Sequence, residues 1–329
     1  MDIVGGGKMH VYPPSEQLPH EPGPEENWQE SFVLIWYDLK QSVGGFFRLG
    51  HEPNAGRSQF MTNIFAPEGI FHRSSTLPLR PEDRRDNGLS NGDGSLGYEY
   101  DGRNIVWTVR EPGIEARLVV DNWVPDINGF APRDRAPGDR FHRDHVDAAC
   151  GVRGTLTVKG RTYEVEALAV RDHGWGPRAW GGYLSHRWLL GTFDRDNSFL
   201  AVTRLTGDSP ITRVGWVIRN GQAIYAEKIE VEAIILADAG TNRGGNLRMT
   251  LETGERFEAK FEPLVPCLAS WVHGIICFDS MCRVRWGDRV GFGIFETTAN
   301  LQAGTRRPEV LEPGTIWAEG WHPGVVRPV

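Results

Sequence analysis

From Ser31 onward the chain is a succession of short apolar and aromatic runs separated by turn residues. S-F-V-L-I-W-Y-D-L starts at Ser31, G-G-F-F-R-L-G-H at Gly44 and S-Q-F-M-T-N-I-F at Ser58. β-Branched and aromatic residues at this length, bounded by Gly, Pro and Asn, predict strands rather than helices. Asp101-Gly102-Arg103, between L-G-Y-E-Y and N-I-V-W-T-V, predicts a hairpin turn, and so does Asn220-Gly221, between R-V-G-W-V-I-R and Q-A-I-Y-A. A further hairpin is predicted at G-T-L-T-V, K-G-R and T-Y-E-V-E-A-L-A-V, which starts at Gly154. Its second strand changes phase between Tyr163, Val165 and Leu168, Val170. That predicts either a bulge or a strand buried on both faces. No amphipathic helix of normal length is legible.

The fold class is therefore all-β, with about twenty strands. One sheet of that size would curl or split, so a β-sandwich or open barrel is expected for each half, with a pocket near their junction. Residues 1–28, rich in Pro, Gly and Glu, are expected to form an extended N-terminal arm. An N-terminal β domain is expected over 29–140 and a C-terminal one over 141–329. Two polar stretches, 81–97 and 131–140, are expected to be long solvated loops.

Composition narrows the function classes. Thirty-six Lys+Arg against 43 Asp+Glu give the 329-residue chain a formal charge of -7, which argues against a nucleic-acid binder. Cys150, Cys267, Cys277 and Cys282 contain no C-x-x-C pair and are expected to be reduced thiols, a disulfide among the last three remaining open. The N-terminus lacks the features of a signal peptide, and no run reaches the length of a membrane span, so a cytoplasmic protein is expected.

The densest chemistry lies in V-R-D-H-G-W-G-P-R-A-W-G-G-Y-L-S-H-R, Val170 to Arg187. Few surface loops mix so many proton donors, acceptors and indoles, and few core strands tolerate such charge. If this stretch is extended, Asp172 and His173 point to opposite faces, whereas Arg171, His173 and Trp175 share one. If a glycine breaks the strand, Asp172 could enter the pocket instead. Asp172 and His173 are the candidate catalytic residues: a carboxyl in an apolar cavity stays protonated near neutrality and could donate to an alkene or epoxide. Arg171 or Arg178 would anchor a polar end of a substrate. Trp175, Trp180, Tyr183 and Trp188 would form its apolar wall and stabilise a carbocation.

His142 and His145 have the H-x-x-H form of metal ligands, but on a strand they face opposite sides with no third ligand, so no metal site is expected. They are kept, with His51 and Glu296, as pocket residues. Neither a nucleotide-binding glycine loop nor a nucleophile elbow is legible.

The segment from Gly154 to Trp180, with its D-H-x-W at Asp172, His173 and Trp175, resembles the core of the lipocalin-like superfamily of carotenoid hydratases (hydroxyneurosporene synthase type). R-x-W-L-x-G-T-F-D, Arg187 to Asp194, extends the match. AttH-like proteins belong to that superfamily, and tocopherol cyclases and fungal decalin-forming Diels-Alderases are similar to it. The resemblance implies two tandem lipocalin-like β domains, no cofactor and a hydrophobic ligand. The expected function is a hydratase, isomerase or cyclase using acid–base catalysis on an apolar terpenoid, steroid or polyketide-like molecule. The alternative is a carrier that binds such a molecule without turnover. A homodimer is left open.

Overall fold

The structure is a computed structural model that describes residues 3–5, 10–123, 127–128, 144–178, 180, 183–206, 211–236, 241–300, 316 and 319–322. In chain order the strands are β1 (Ile3–Gly5), β2 (His10–Val11), β3 (Trp28–Asp38), β4 (Val43–Glu52), β5 (Arg57–Ala66), β6 (Gly69–Pro78), β7 (Arg84–Arg85), β8 (Gly88–Ser90), β9 (Leu96–Tyr100), β10 (Ile105–Glu111), β11 (Ile114–Asn122) and β12 (Ile127–Asn128). They continue with β13 (Asp144–Val158), β14 (Arg161–Pro177), β15 (Tyr183–Asp194), β16 (Asn197–Thr206), β17 (Thr212–Arg219), β18 (Gln222–Ile235), β19 (Asn242–Leu251), β20 (Arg256–Pro263), β21 (Leu268–Val272), β22 (Ile275–Trp286), β23 (Arg289–Asn300) and β24 (Gly320–His322). Among the described residues helix occurs only as 3-10 turns, at Pro14–Gln17, Pro53–Ala55 and Pro81–Asp83 and at Trp180. None is long and apolar enough to cross a membrane.

The fold is all-β and lipocalin-like, in two compact units. In the first, one curled sheet runs β24-β6-β5-β4-β3-β14-β13-β11-β10-β9-β8-β7. Its concave face is filled by Trp36, Phe47, Phe60, Tyr98 and Trp107. In the second, β17-β16-β15-β23-β22-β20-β19-β18 closes on itself through the β17–β18 pair, giving an eight-stranded barrel. Phe199, Phe257, Phe261, Phe295 and Leu247 fill its interior. Each such side chain contributes roughly 1.5–3 kcal/mol by leaving water.

Turn chemistry places the hairpins where they are expected. Asp101 accepts bonds from the backbone N–H of Arg103 (2.9 Å) and Asn104 (2.6 Å), joining β9 to β10. Asn220 and Gly221 both take positive φ, 51° and 73°, as a two-residue turn requires. Gly154 is indispensable in β13: its φ is 148°, and a Cβ there would lie 2.1 Å from the Arg117 carbonyl oxygen. β14 pairs with β13 without a register shift. Tyr163, Val165, Ala167 and Ala169 stay on the concave face, and Val170, buried on the other, begins a stretch covered on both sides. The phase change is double burial, not a bulge.

One expectation gives way. The unit boundary does not fall near residue 140: β13 and β14 belong with residues 11–127, because β14 pairs with β3 and β13 with β11. Within the N-terminal arm Tyr12 and Gln17 are buried, and Tyr98 Oη donates to the Gln17 carbonyl at 2.7 Å. The stretch 131–140 lies outside the described residues. No disulfide joins any of the four cysteines.

Candidate functional site

β14 is extended from Val170 through Trp175, so side chains alternate there between the two faces of the sheet. Arg171, His173 and Trp175 lie opposite Leu34, Phe32 and Glu30 of β3 and share the concave face. Asp172 and Gly174 point the other way, beside Asp147 and His145 of β13.

On the concave face Glu30 is the hub. Its fully buried carboxylate accepts from His173 Nε2 at 3.1 Å, His20 Nδ1 at 2.7 Å, the His20 backbone N–H at 3.0 Å and Arg84 Nη2 at 2.9 Å. His20 Nε2 reaches Glu16 at 2.8 Å, and Arg84 also donates to the His20 carbonyl. The His20 ring stacks on Trp175 at 4.1 Å and 9°, while Phe32 stacks on His173 at 3.8 Å. Burial alone would push the Glu30 carboxyl up, but the hydrogen bonds from His173 and His20 override it and hold it at about 2. For His173 burial wins: it is pushed down to about 4 and is neutral. His20 is raised, since its bonds to Glu30 and Glu16 outweigh burial. His51, directly across from Glu30, gives a hydrogen bond from Nε2 to the Ser90 carbonyl at 2.8 Å; burial pushes it down to about 4.

On the opposite face His145 lies between two carboxylates. Nε2 is hydrogen-bonded to Asp172 Oδ2, and Nδ1 is 3.1 Å from Asp147 Oδ2. Burial opposes its charge, yet Asp147 and Asp172 push it up to about 10, so it is an imidazolium at neutral pH. Asp172 is correspondingly lowered, the His145 charge overcoming burial. The expectation of a protonated Asp172 therefore fails: its surroundings are ionic, not apolar. Its side chain is 17 % exposed, against 1 % for that of His173.

The remaining candidates divide between the units. Arg171 is buried, donates from Nε to Asn122 Oδ1 at 3.0 Å, and is pushed down to about 10 by burial. Arg178, also buried, reaches Ser31 Oγ at 3.3 Å, and its backbone is clasped by Asn27. Trp180, Trp188 and Glu296 belong to the barrel unit. Trp180 stacks with His273 at 5.4 Å, and Trp188 sits opposite Glu296 between β15 and β23. Tyr183 opens β15, but its side chain, like all of His142, lies outside the described residues.

Two groups have donor atoms close enough for a cation: His20–Glu30–His173 and His145–Asp147–Asp172. The first balances charge with a proton in place, His20 and Arg84 against Glu16 and Glu30. In the second, His145 presents a different nitrogen to each carboxylate, so it bridges them rather than converging with them on one point.

The profile of a domain of unknown function, DUF7064, matches residues 13–301. The chain belongs to the DUF7064 family. No curated protein sequence matches it. Among solved structures, this DUF7064 chain is similar to an AttH-assigned protein, NE1406 from Nitrosomonas europaea, at 10 % identity and a TM-score of 0.67, covering 91 % of this chain and 99 % of the other. CghA aligns at 11 % identity and 0.60, over 85 % and 90 %. Kievitone hydratase from Nectria haematococca aligns at 10 % and 0.56, over 82 % and 88 %. At such identity these likenesses establish the lipocalin-like fold.

Sequence reasoning missed Glu30, His20, Arg84 and Asp147. A visible signal existed for Glu30, an acid two residues before an unbroken apolar run. Arg84 lies in the 81–97 stretch taken for a solvated loop, which instead supplies both Arg84 and the Ser90 carbonyl.

Proposed function

We propose that this chain is a cofactor-independent acid–base enzyme of the hydratase, isomerase or cyclase type, acting on an apolar small molecule, with Asp172 as the proton-transferring group and His145 as its proton store. The observation that carries this reading is the His145–Asp172 pair: an imidazolium bonded to a carboxylate that is the most exposed member of its own cluster, at 17 % against 9 % for His145 and 0 % for Asp147. A proton passed from Nε2 to Oδ2 makes Asp172 briefly a carboxylic acid. That acid can protonate a double bond or carbonyl oxygen, and His145 reclaims the proton when water or an internal group adds. His173, buried and bonded to Glu30, holds the strand in register and is a positioning residue. Kievitone hydratase is a neighbour in fold, and CghA has been crystallised with the small molecule Sch210972. Both favour an enzyme or binder of such molecules. The second reading, a carrier, uses the same fold without the proton.

The test begins with native mass spectrometry of the purified chain and identification of any small molecule that travels with it. With that compound as substrate, Asp172→Asn and His145→Gln are expected to lose about 10²-fold or more in turnover while retaining affinity. Undiminished turnover in both variants overturns the assignment, and binding with no turnover in the wild type establishes the carrier.

A further inference from the structure

The barrel carries a second titratable cluster. Asp279 on β22 lies directly opposite Glu296 on β23, which in turn lies opposite Trp188 on β15. One position along, His186 Nε2 meets Glu296 Oε1 at 2.9 Å, and the His186 backbone N–H donates to Thr298 Oγ1 at 2.8 Å. None of these side chains belongs to the barrel interior, which Leu189, Phe295 and Cys282 fill from the intervening positions. The cluster is on the outer face, and yet Asp279 is 1 % exposed and Trp188 7 %.

Two carboxylates directly across an antiparallel pair repel, and a buried one cannot keep its charge without a cation. Among the described residues no cation is paired with Asp279. Burial, with the facing Glu296 adding to it, raises it well above the ordinary carboxyl range, and its Oδ1 is buried without a hydrogen-bond partner among the described residues. This is a carboxyl raised above its ordinary range, with the Trp188 indole one strand beyond the facing Glu296, a setting that the D-H-x-W motif was expected to supply.

We propose that Asp279, Glu296 and His186 form a proton-donating site for an apolar small molecule, the two carboxyls sharing one proton and Trp188 giving the ligand an aromatic surface. In donation the carboxyl O–H bond breaks as a bond forms from the proton to a ligand carbon or oxygen. The pair is left doubly charged, and a proton returned through His186 to Glu296 restores it. A neutral carboxylic acid in this setting suits an unactivated double bond or an ether or carbonyl oxygen, and disfavours an anionic ligand. The site deepens the acid–base reading above, but its test needs no turnover.

An apolar carbodiimide reads both requirements at once, because it adds only to a protonated carboxyl and reaches only sites open to an apolar molecule. The intact chain is treated at pH 7 with dicyclohexylcarbodiimide or with a water-soluble carbodiimide, and the adducts are placed by peptide mapping. Dicyclohexylcarbodiimide is expected to label Asp279 or Glu296 while leaving Asp172 and Glu30 unmodified, and the water-soluble reagent is expected not to label the pair. Labelling is expected to fall as pH rises and to vanish in the Asp279→Asn, Glu296→Gln double variant. Absence of an adduct at both carboxyls in the wild type, where misfolding is not at issue, overturns the proposal and leaves the Asp172 assignment standing. Adduct formation beside undiminished turnover in Asp172→Asn does the reverse.

Discussion

Asp172 and His173 are chain neighbours whose side chains leave opposite faces of one strand, the carboxylate toward His145 and the imidazole toward Glu30. Separation by the strand's two-residue period gives each its own electrostatic surroundings. Asp172 is charged because a cation faces it; His173 is neutral because its burial outweighs the pull of the Glu30 carboxylate to which it donates a hydrogen bond.

That division predicts the energetics of the Asp172 pair. Removing either partner strands a largely buried charge, so Asp172→Asn and His145→Gln are each expected to destabilise the fold, and the double variant to cost less than their sum. A double-mutant cycle by urea unfolding should show coupling of about 0.5–3 kcal/mol. Strict additivity would mean that the two groups do not act together.

Glu30 should matter more than any other acid in its unit. It satisfies two imidazoles, a guanidinium and a backbone N–H, so Glu30→Gln leaves charged or polar partners buried. The expected loss is about 3–5 kcal/mol. Glu16, 29 % exposed and bonded only to His20 among the described residues, should cost about 1 kcal/mol or less as Glu16→Gln. Equal losses in the two variants would refute the hub role.

Charge balance predicts the occupant of the His20–Glu30–His173 group. A divalent ion replacing the proton of His20 would leave a buried excess of one positive charge beside Arg84. The melting temperature is therefore expected to be the same after dialysis against EDTA and after addition of zinc. A drop with chelator, restored by zinc, would show instead that the three donors hold a metal.

Much of this architecture is written locally. Turn residues such as Asp101-Gly102 and Asn220-Gly221 mark hairpins because only certain backbones satisfy those turns. The Lys159-Gly160 turn carries further than it was taken: counting outward from the Val158–Arg161 pair puts Asp147 opposite Asp172 and His145 opposite Gly174. The ion pair was therefore latent in the hairpin, and overlooking it led to an apolar setting for Asp172. Other partnerships are not local. β14 meets β3 across more than a hundred residues of chain, and nothing in either segment names the other. His20 reaches Glu30 from irregular chain, where no periodicity constrains it. Asp279 stands within an apolar run, I-I-C-F-D-S-M-C, as Glu30 stands just ahead of one, a pattern that points to burial without naming the facing acid.

The opposed shifts of the histidines predict a stability maximum near neutrality. His51 and His173 are pushed down from 6.5 to about 4 by burial, so between those values the unfolded chain takes up protons that the fold refuses. Stability should fall as pH drops through that window, by at most roughly 3 kcal/mol for each group. Glu30, held at about 2 against an ordinary 4.5, adds a loss that begins below pH 4.5 and is complete only near 2. His145 acts in the other direction. Burial opposes its charge, but Asp147 and Asp172 push it up to about 10, so its contribution is full below pH 6.5 and is lost as pH rises toward 10. Melting temperatures measured from pH 4 to 10 should therefore trace a dome. His145→Gln should lower the neutral plateau and flatten the alkaline limb, while His51→Gln should make the acid limb shallower between pH 6.5 and 4. An alkaline limb unchanged in His145→Gln would show that the imidazolium between Asp147 and Asp172 is not formed.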